Sequence, residues 1–294
     1  AIAQAGEVAG TVSDASDTIA LRSAQVRIVE LDSRTEVQSA VDIAIWDMIG
    51  KRLGAPLHAL LGAERSRIPA YASGINPVGV LETVTRARAA GHRHFKVKVG
   101  FGDVTDQANV AAVAGDLRPG ESFLLDANQG WSPEEAGRAL RWIEGHAPRW
   151  IEEPMPVDVP PAAWHMLKSE TSVPIAGGEN FLSRKEYDDA TRGKWLDFVQ
   201  PDIAKWGGFT EGLPVARAVV ANGLTYCPHS LGGGIALAAS AHLLAAAGGP
   251  GRSGVAAGSG RVLWSGALFV SGGASTSTRM KRWIPFMKSG PVVS

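Results

Sequence analysis

The stretch HFKVKVGFGDVTDQANVAAVAGDLRPGESFLLDANQGWSPEEAGRALRWIEGHAPRWIEEP, residues 94–154, decides the fold. A short apolar run (94–100) is followed by polar, helix-compatible sequence, a second run (122–128), a helix from Pro133 to Gly145, and a third run (149–154). Ser132 is placed to cap that helix, and Glu134 and Glu135 complement its dipole in the first turn. Working outward, further strands are predicted at 68–73, 173–179, 196–202 and 224–230. Seven β/α units of about 26 residues, with an eighth to close them, specify an α/β protein of the TIM type, a (β/α)-barrel rather than an open sheet. Upstream, Val37, Val41, Ile45, Met48 and Ile49 recur at helical spacing over 36–53, and Gly54-Ala55-Pro56 stops that helix.

Composition narrows the classes. With 294 residues, 45% hydrophobic and 20% charged, the chain suits one large barrel or two ordinary domains and excludes disordered and collagen-like classes. Lys+Arg and Asp+Glu both number 29, so no overall field recruits nucleic acid or an anionic membrane. The expected ligand is small, and a homo-oligomer is the expected assembly. The one cysteine, Cys227, allows neither an internal disulfide nor a Cys-rich zinc site, and a reducing cytoplasm is the expected setting. No apolar run approaches the roughly 18 to 20 residues of a membrane span, and AIAQAGEVAG lacks a charged signal-peptide start. The absence of an initial Met suits a processed or incomplete sequence.

Barrels of this type carry their chemistry at the C-terminal ends of the strands. Lys96 and Lys98 stand at the second predicted end, Asp126 at the third, Glu152 at the fourth, Glu179 at the fifth, Asp202 at the sixth and His229 at the seventh. From Lys98 the intervals are 28, 26, 27, 23 and 27 residues, so one rim receives a functional side chain per repeat.

Each element has an ordinary reading beside the functional one. The alternation in Lys96-Val97-Lys98 puts both lysines on one face, either solvated or, in a closed barrel, inward over the site. There a lysine desolvated beside a second cation has a lowered pKa that suits a base. Asp126, Glu152 and Glu179 are singly cap or turn acids; together they make an all-oxygen cluster that needs a cation. Such a set favours magnesium, with manganese as a substitute. Glu152 and Glu153 are expected on opposite faces, so only one serves as a ligand. His229 is either a core histidine or, with Asp202 fixing its tautomer, a general base. Gly207, Gly208, Gly232, Gly233 and Gly234 are tight turns or places where backbone N–H groups approach an anion at a helix start. Asn128, Gln129 and Asn180 are possible donors at the mouth. Trp131 and Trp206 read as packing, Cys227 as a small buried apolar side chain, and His58, His92, His94, His146, His165 and His242 receive no role.

SAVDIAIWDMIGKRLGAPLHALLG, FKVKVG, LLDANQGW, WIEEP, AGGEN, QPDIAKWGG and CPHS occur in an order that resembles the enolase superfamily, in particular its mandelate racemase subgroup. The resemblance covers about residues 36–249. It implies a modified (β/α)7β barrel over 66–251, a partial N-terminal capping domain over 1–65, and a C-terminal segment, 252–294, carrying the last strand and the return to the cap. It also implies that Lys98 is one base, that Asp202 and His229 form the second, and that Lys96 neutralises the substrate carboxylate. Asp126, Glu152 and Glu179 then bind Mg2+, while Asn128 and Lys205 support the substrate site. The implied chemistry is removal of a proton next to a carboxylate, and the preferred outcome is dehydration of a sugar acid to a 2-keto-3-deoxy acid. Racemisation or epimerisation uses the same machinery. Asp202 with His229 argues against a muconate-type cycloisomerase, where a lysine is expected at 202; a metal-binding barrel without activity is the non-enzymatic reading.

All 29 acidic residues lie in the first 211 positions, leaving none from 212 to 294. The acidic eighth strand end implied by the resemblance is therefore missing. A reading frame shifted after about Gly251 or a divergent basic tail accounts for this. With the cap helix starting only about 36 residues in, the expectation is an altered or incomplete family member with little activity by itself.

Overall fold

The computed structural model describes residues 34–63, 67–230, 234–257 and 269–271. Expectations for the first 33 residues, for Gly232 and Gly233, and for most of the C-terminal segment lie outside these. Helices α1 (Arg34–Leu53) and α2 (Leu57–Leu60) precede strand β1 (Arg67–Ile75). Then α3 (Val80–Ala89), β2 (His94–Lys98), α4 (Asp103–Asp116), β3 (Ser122–Asp126), α5 (Pro133–Ile143), β4 (Ile151–Glu152) and α6 (Pro161–Ser169) alternate. The pattern continues through β5 (Ile175–Gly177), α7 (Arg184–Gly193), β6 (Phe198–Val199), α8 (Gly208–Ala221), β7 (Thr225–Tyr226), α9 (Gly234–Ala247) and β8 (Ser253–Ala256); β9 (Phe269–Ser271) follows. Every pairing is parallel, in the spatial order β7-β6-β5-β4-β3-β2-β1-β8, with β9 also pairing with β1.

The strand pattern behaves as its alternation dictates. Phe95 and Val97 are fully buried on one face of β2, against the helices, while Lys96 points to the other and is buried in the barrel. Helix α5 shows the full capping box: the Ser132 hydroxyl accepts from Glu135 N at 3.2 Å, and the Glu135 carboxylate accepts from Ser132 N at 2.8 Å. Pro133 opens its first turn, and Ala136, Ala139, Leu140 and Ile143 form its buried stripe.

Six bonded strands, β2 to β7, are shorter than their sequence runs, and β4 to β7 are the most curtailed. Pairing in β4, β6 and β7 is confined to two residues each, and Pro154, Pro201 and Pro228 follow shortly after. A proline has no N–H for the ladder, so the chain leaves the sheet there. At β5 the departure comes at Gly178, whose φ of 113° leaves the extended region.

Two cores result. The larger packs the outer sheet face against the helices. The smaller joins Tyr71, Leu124, Trp150, Ala176 and Cys227, with Phe198 against them. Tyr71 meets Trp150 edge-on at 5.4 Å, and Trp150 meets Phe198 at 4.8 Å. Tyr71 of β1 and Cys227, just past β7, reach one cluster only because the sheet curls on itself. Arg252 N donates to Cys227 Sγ at 3.3 Å, bringing the start of β8 to the end of β7. The Cys227 assignment as a buried apolar side chain agrees: it is 1% exposed, and burial pushes its thiol up to about 12.

Candidate active site

Strand register lines up the first half of the site. Lys98 is the Cα partner of Asp126, and Asp126 of Glu152, so three charged ends stand in one row across β2, β3 and β4. The second half stands higher. Glu179, Asp202 and His229 each lie three residues past a paired residue: Ala176, Val199 and Tyr226.

In the lower half Lys96 is 3% exposed and lies between two acids, 3.0 Å from Asp126 Oδ2 and hydrogen-bonded to Glu152 Oε1. Lys98 Nζ donates to Asp126 Oδ2 at 2.7 Å and also to Asn128 Oδ1. Asp126 Oδ1 accepts from the Asn128 amide at 3.0 Å. The second Glu152 oxygen accepts from Trp150 Nε1 at 3.1 Å and Gln200 Nε2 at 2.8 Å. Burial opposes the charge of Lys96, but Asp126 and Glu152 outweigh it and hold its pKa well above the ordinary value. Lys96 is thus held as a cation by two acids rather than lowered by a second cation, the state that neutralising a carboxylate requires. Burial also works against ionised Asp126, yet Lys96 and Lys98 bring it down to about 2, whereas burial and Asp126 raise Glu152.

In the upper half His229 Nδ1 is 2.8 Å from Asp202 Oδ2, and its Nε2 is 3.0 Å from Glu179 Oε2. Burial alone lowers an imidazole pKa; the two carboxylates reverse this and raise His229 to about 9. Burial opposes ionisation of Glu179 as well, and His229 keeps its pKa below the usual value. Asp202 Oδ1 is held by the Ala204 amide at 2.9 Å. Beside them Asn180 Nδ2 donates to both oxygens of Glu153 at 2.9 Å, and Lys205 Nζ donates to Asn180 Oδ1 at 3.1 Å.

The sequence-derived residues Lys96, Lys98, Asp126, Asn128 and Glu152 thus form one contact network, Asp202, His229 and Glu179 a second, and Lys205 a third through Asn180. Gln129 instead turns back to accept from the Val157 amide at 2.9 Å. Glu153 lies apart from Glu152, as the alternation predicts, beside Gly177 and Leu196 on the helix side of the sheet; it is nevertheless 3% exposed, and its φ is 40°. Burial first, then Glu179, pushes its pKa up to about 8 against the hydrogen bonds from Asn180. Gln200 and Trp150 also contact the site unforeseen. Each is two residues from a rim acid, so the alternation used for the two lysines contained the signal.

Among the described residues no three His, Cys, Asp or Glu side chains surround a common point as a metal cage; the protein's own cations stand between the acids. The donor chemistry nevertheless suits a hard cation. Three carboxylates occupy successive strand ends, and the buried Glu179 Oε2 has no aligned hydrogen-bond donor.

Residues 79–271 match the family described as Enolase C-terminal domain-like, and residues 6–62 match the Mandelate racemase / muconate lactonizing enzyme N-terminal domain. The chain belongs to the mandelate racemase-like subgroup of the enolase superfamily. Among its superfamily relatives, the L-talarate/galactarate dehydratase of Salmonella typhimurium is 36% identical over 201 residues, covering 65% of this chain and 49% of that protein. A mandelate racemase/muconate lactonizing enzyme structure from Bordetella bronchiseptica is 46% identical with a TM-score of 0.74, covering 76% of this chain and 62% of that one. A racemase from Streptomyces coelicolor, solved with bound magnesium, is 30% identical with a TM-score of 0.68, covering 75% and 66%. Other relatives are sugar-acid dehydratases, cycloisomerases and a dipeptide epimerase. This superfamily chain spans between 49% and 57% of the length of the first curated relatives it matches. No helix among its described residues is long and apolar enough to cross a membrane.

Proposed function

We propose that the chain catalyses removal of the proton α to a sugar-acid carboxylate through an enediolate, and that the outcome is dehydration to a 2-keto-3-deoxy acid. The observation that carries this is the Asp202–His229 contact at 2.8 Å on the sixth and seventh strand ends, with Lys98 on the second and the acids between.

Asp126, Glu152 and Glu179 are the residues that would hold Mg2+, or Mn2+ in its place; the ion, when bound, lowers the energy of negative charge developing on the carboxylate. Lys96, kept protonated by its acids, adds positive charge at the same place. Asp202 fixes Nδ1 of His229, and Nε2, here 3.0 Å from Glu179 Oε2, is the nitrogen that takes or returns a proton. Lys98 serves the opposite substrate face, held by Asp126 and Asn128. Lys205 and Asn180 supply polar groups for the substrate hydroxyls. Acid-assisted departure of a β-hydroxyl completes dehydration, with the hydroxide leaving as water once protonated by His229 or Lys98.

The names of two relatives favour a second outcome, cycloisomerisation, from the same carbanionic start. Incubating the full chain and Mg2+ with a library of aldonic and aldaric acids in deuterated water separates them. Dehydration gives a 2-keto acid lacking the elements of water, whereas isomerisation conserves composition apart from deuterium. No exchange and no product on any acid sinks both readings.

A further inference from the structure

Helix α1 is far from the strand ends in sequence, yet one of its carboxylates reaches the loop behind the proposed base. Asp42 Oδ1 accepts from the Phe209 amide at 2.6 Å and from the Thr210 amide at 3.2 Å, the free N–H groups that open α8. Trp46, one turn on, donates from Nε1 to Thr210 Oγ1 at 3.0 Å. Gly208 makes the approach possible. Its φ is 53°, and a Cβ there would overlap the Asp42 carboxylate. The anion at this helix start is therefore the protein's own.

The clamped residues end the loop that begins at Asp202. Within it the Lys205 and Trp206 amides donate to the Asp202 carbonyl at 3.1 and 3.0 Å, Gly208 N donates to Ile203 O at 3.2 Å, and Ala204 N holds Asp202 Oδ1. A short hydrogen-bonded path thus joins the Asp42 clamp to the carboxylate that orients His229. We propose that Asp42 is a positioning residue for the His229 base: α1 fixes the β6–α8 loop, and the loop fixes Asp202. This rests on the function proposed above.

The test uses the full-length chain with Asp42→Ala and Asp42→Asn. Asparagine keeps the accepting oxygen and removes the charge. In Asp42→Ala, exchange of the Ala204 amide should speed up about tenfold, while the Leu125 amide in β3 is unchanged. With Mg2+ in deuterated water, D-galactonate and its C2 epimer serve as probes. Asp42→Ala should slow α-proton exchange of the epimer served by His229 on the order of 100-fold, largely in kcat, and spare the epimer served by Lys98. Asp42→Asn should restore most of the loss, which a long-range effect of the charge would not allow. Should Asp42→Ala fail to fold, Gly208→Ala breaks the clamp with both partners present and should give the same split. An unchanged Ala204 amide, or equal loss for both epimers without rescue by asparagine, overturns the proposal. Absence of exchange in the unaltered chain, together with a faster Ala204 amide in Asp42→Ala, supports the clamp and rejects the reaction on these acids.

Discussion

Two buried charge clusters in this molecule obey opposite rules. Arg88, on α3, donates from Nε to both oxygens of Glu121 at 2.8 and 3.1 Å, and from Nη2 to Glu121 at 2.9 Å and Asp116 at 2.8 Å. It also lies over the Phe95 ring at 5.5 Å. Hydrogen bonding to Glu121 raises the Arg88 pKa; burial opposes the Glu121 charge, but Arg88 overcomes it and depresses that carboxyl. The hydrogen bonds there outweigh burial and favour one ionised state. At the rim the carboxylates divide: Asp126 and Glu179 are lowered, while Glu152 and Glu153 are raised. A saturated cluster holds the fold together. A cluster whose members compete retains groups ready to exchange protons or accept a cation, at some cost in stability.

The sharpest way to break this comparison is Glu152→Gln, which should lower turnover by at least about 1000-fold and weaken Mg2+ binding measured by calorimetry. Its melting temperature should stay level or rise, since one member of a repelling set loses its charge. Activity that survives both this change and EDTA would remove the rim from the argument. His229→Asn comes next, with roughly 100- to 10,000-fold slower exchange of one α-epimer and the Lys98-served epimer spared; equal loss for both would count against two independent bases.

On the structural side, Arg88→Met leaves the buried Glu121 with only Arg93, 3.8 Å away, and removes the partner of the half-exposed Asp116. Urea titration should show a loss of about 3 to 5 kcal/mol, with turnover intact well below the transition, and adding Glu121→Leu should recover much of it. The pH dependence follows from the depressed Glu121 carboxyl. Its stabilising contribution is complete above the ordinary carboxylate pKa of 4.5 and disappears as pH falls through the lower folded-state value. The acid limb of a melting curve should accordingly be flatter in Arg88→Met. The smallest effect is expected from Ser132→Ala, about 1 kcal/mol from the lost cap, with no change in turnover measured at saturating substrate.

Much of the site was legible because a barrel repeats its chain geometry. Lys98, Asp126 and Glu152 could be placed on neighbouring strand ends from intervals alone, and their register confirms that row. Alternation separated Glu153 from Glu152, but it could not reveal that Glu153 would be buried with Asn180 donating to both its oxygens, because that partner comes from the next strand end. The strand runs were likewise read too long at β4, β6 and β7, although Pro154, Pro201 and Pro228 stood in the text to limit them.

The sequence by itself determined the alternating strands and helices, the helix stop at Gly54-Ala55-Pro56, the cap at Ser132, and the rim that receives the polar ends. Those properties follow from backbone periods of 2 and 3.6 residues and from local hydrogen-bonding chemistry, so neighbouring residues encode them. Only the tertiary structure decided that Lys96 stands between Asp126 and Glu152, that His229 meets Glu179 as well as Asp202, and that Asp42 docks 167 residues away on Phe209. A carboxylate on a helix looks the same in sequence whether water or a distant amide receives it; folding supplies the partner, and burial makes that partner matter.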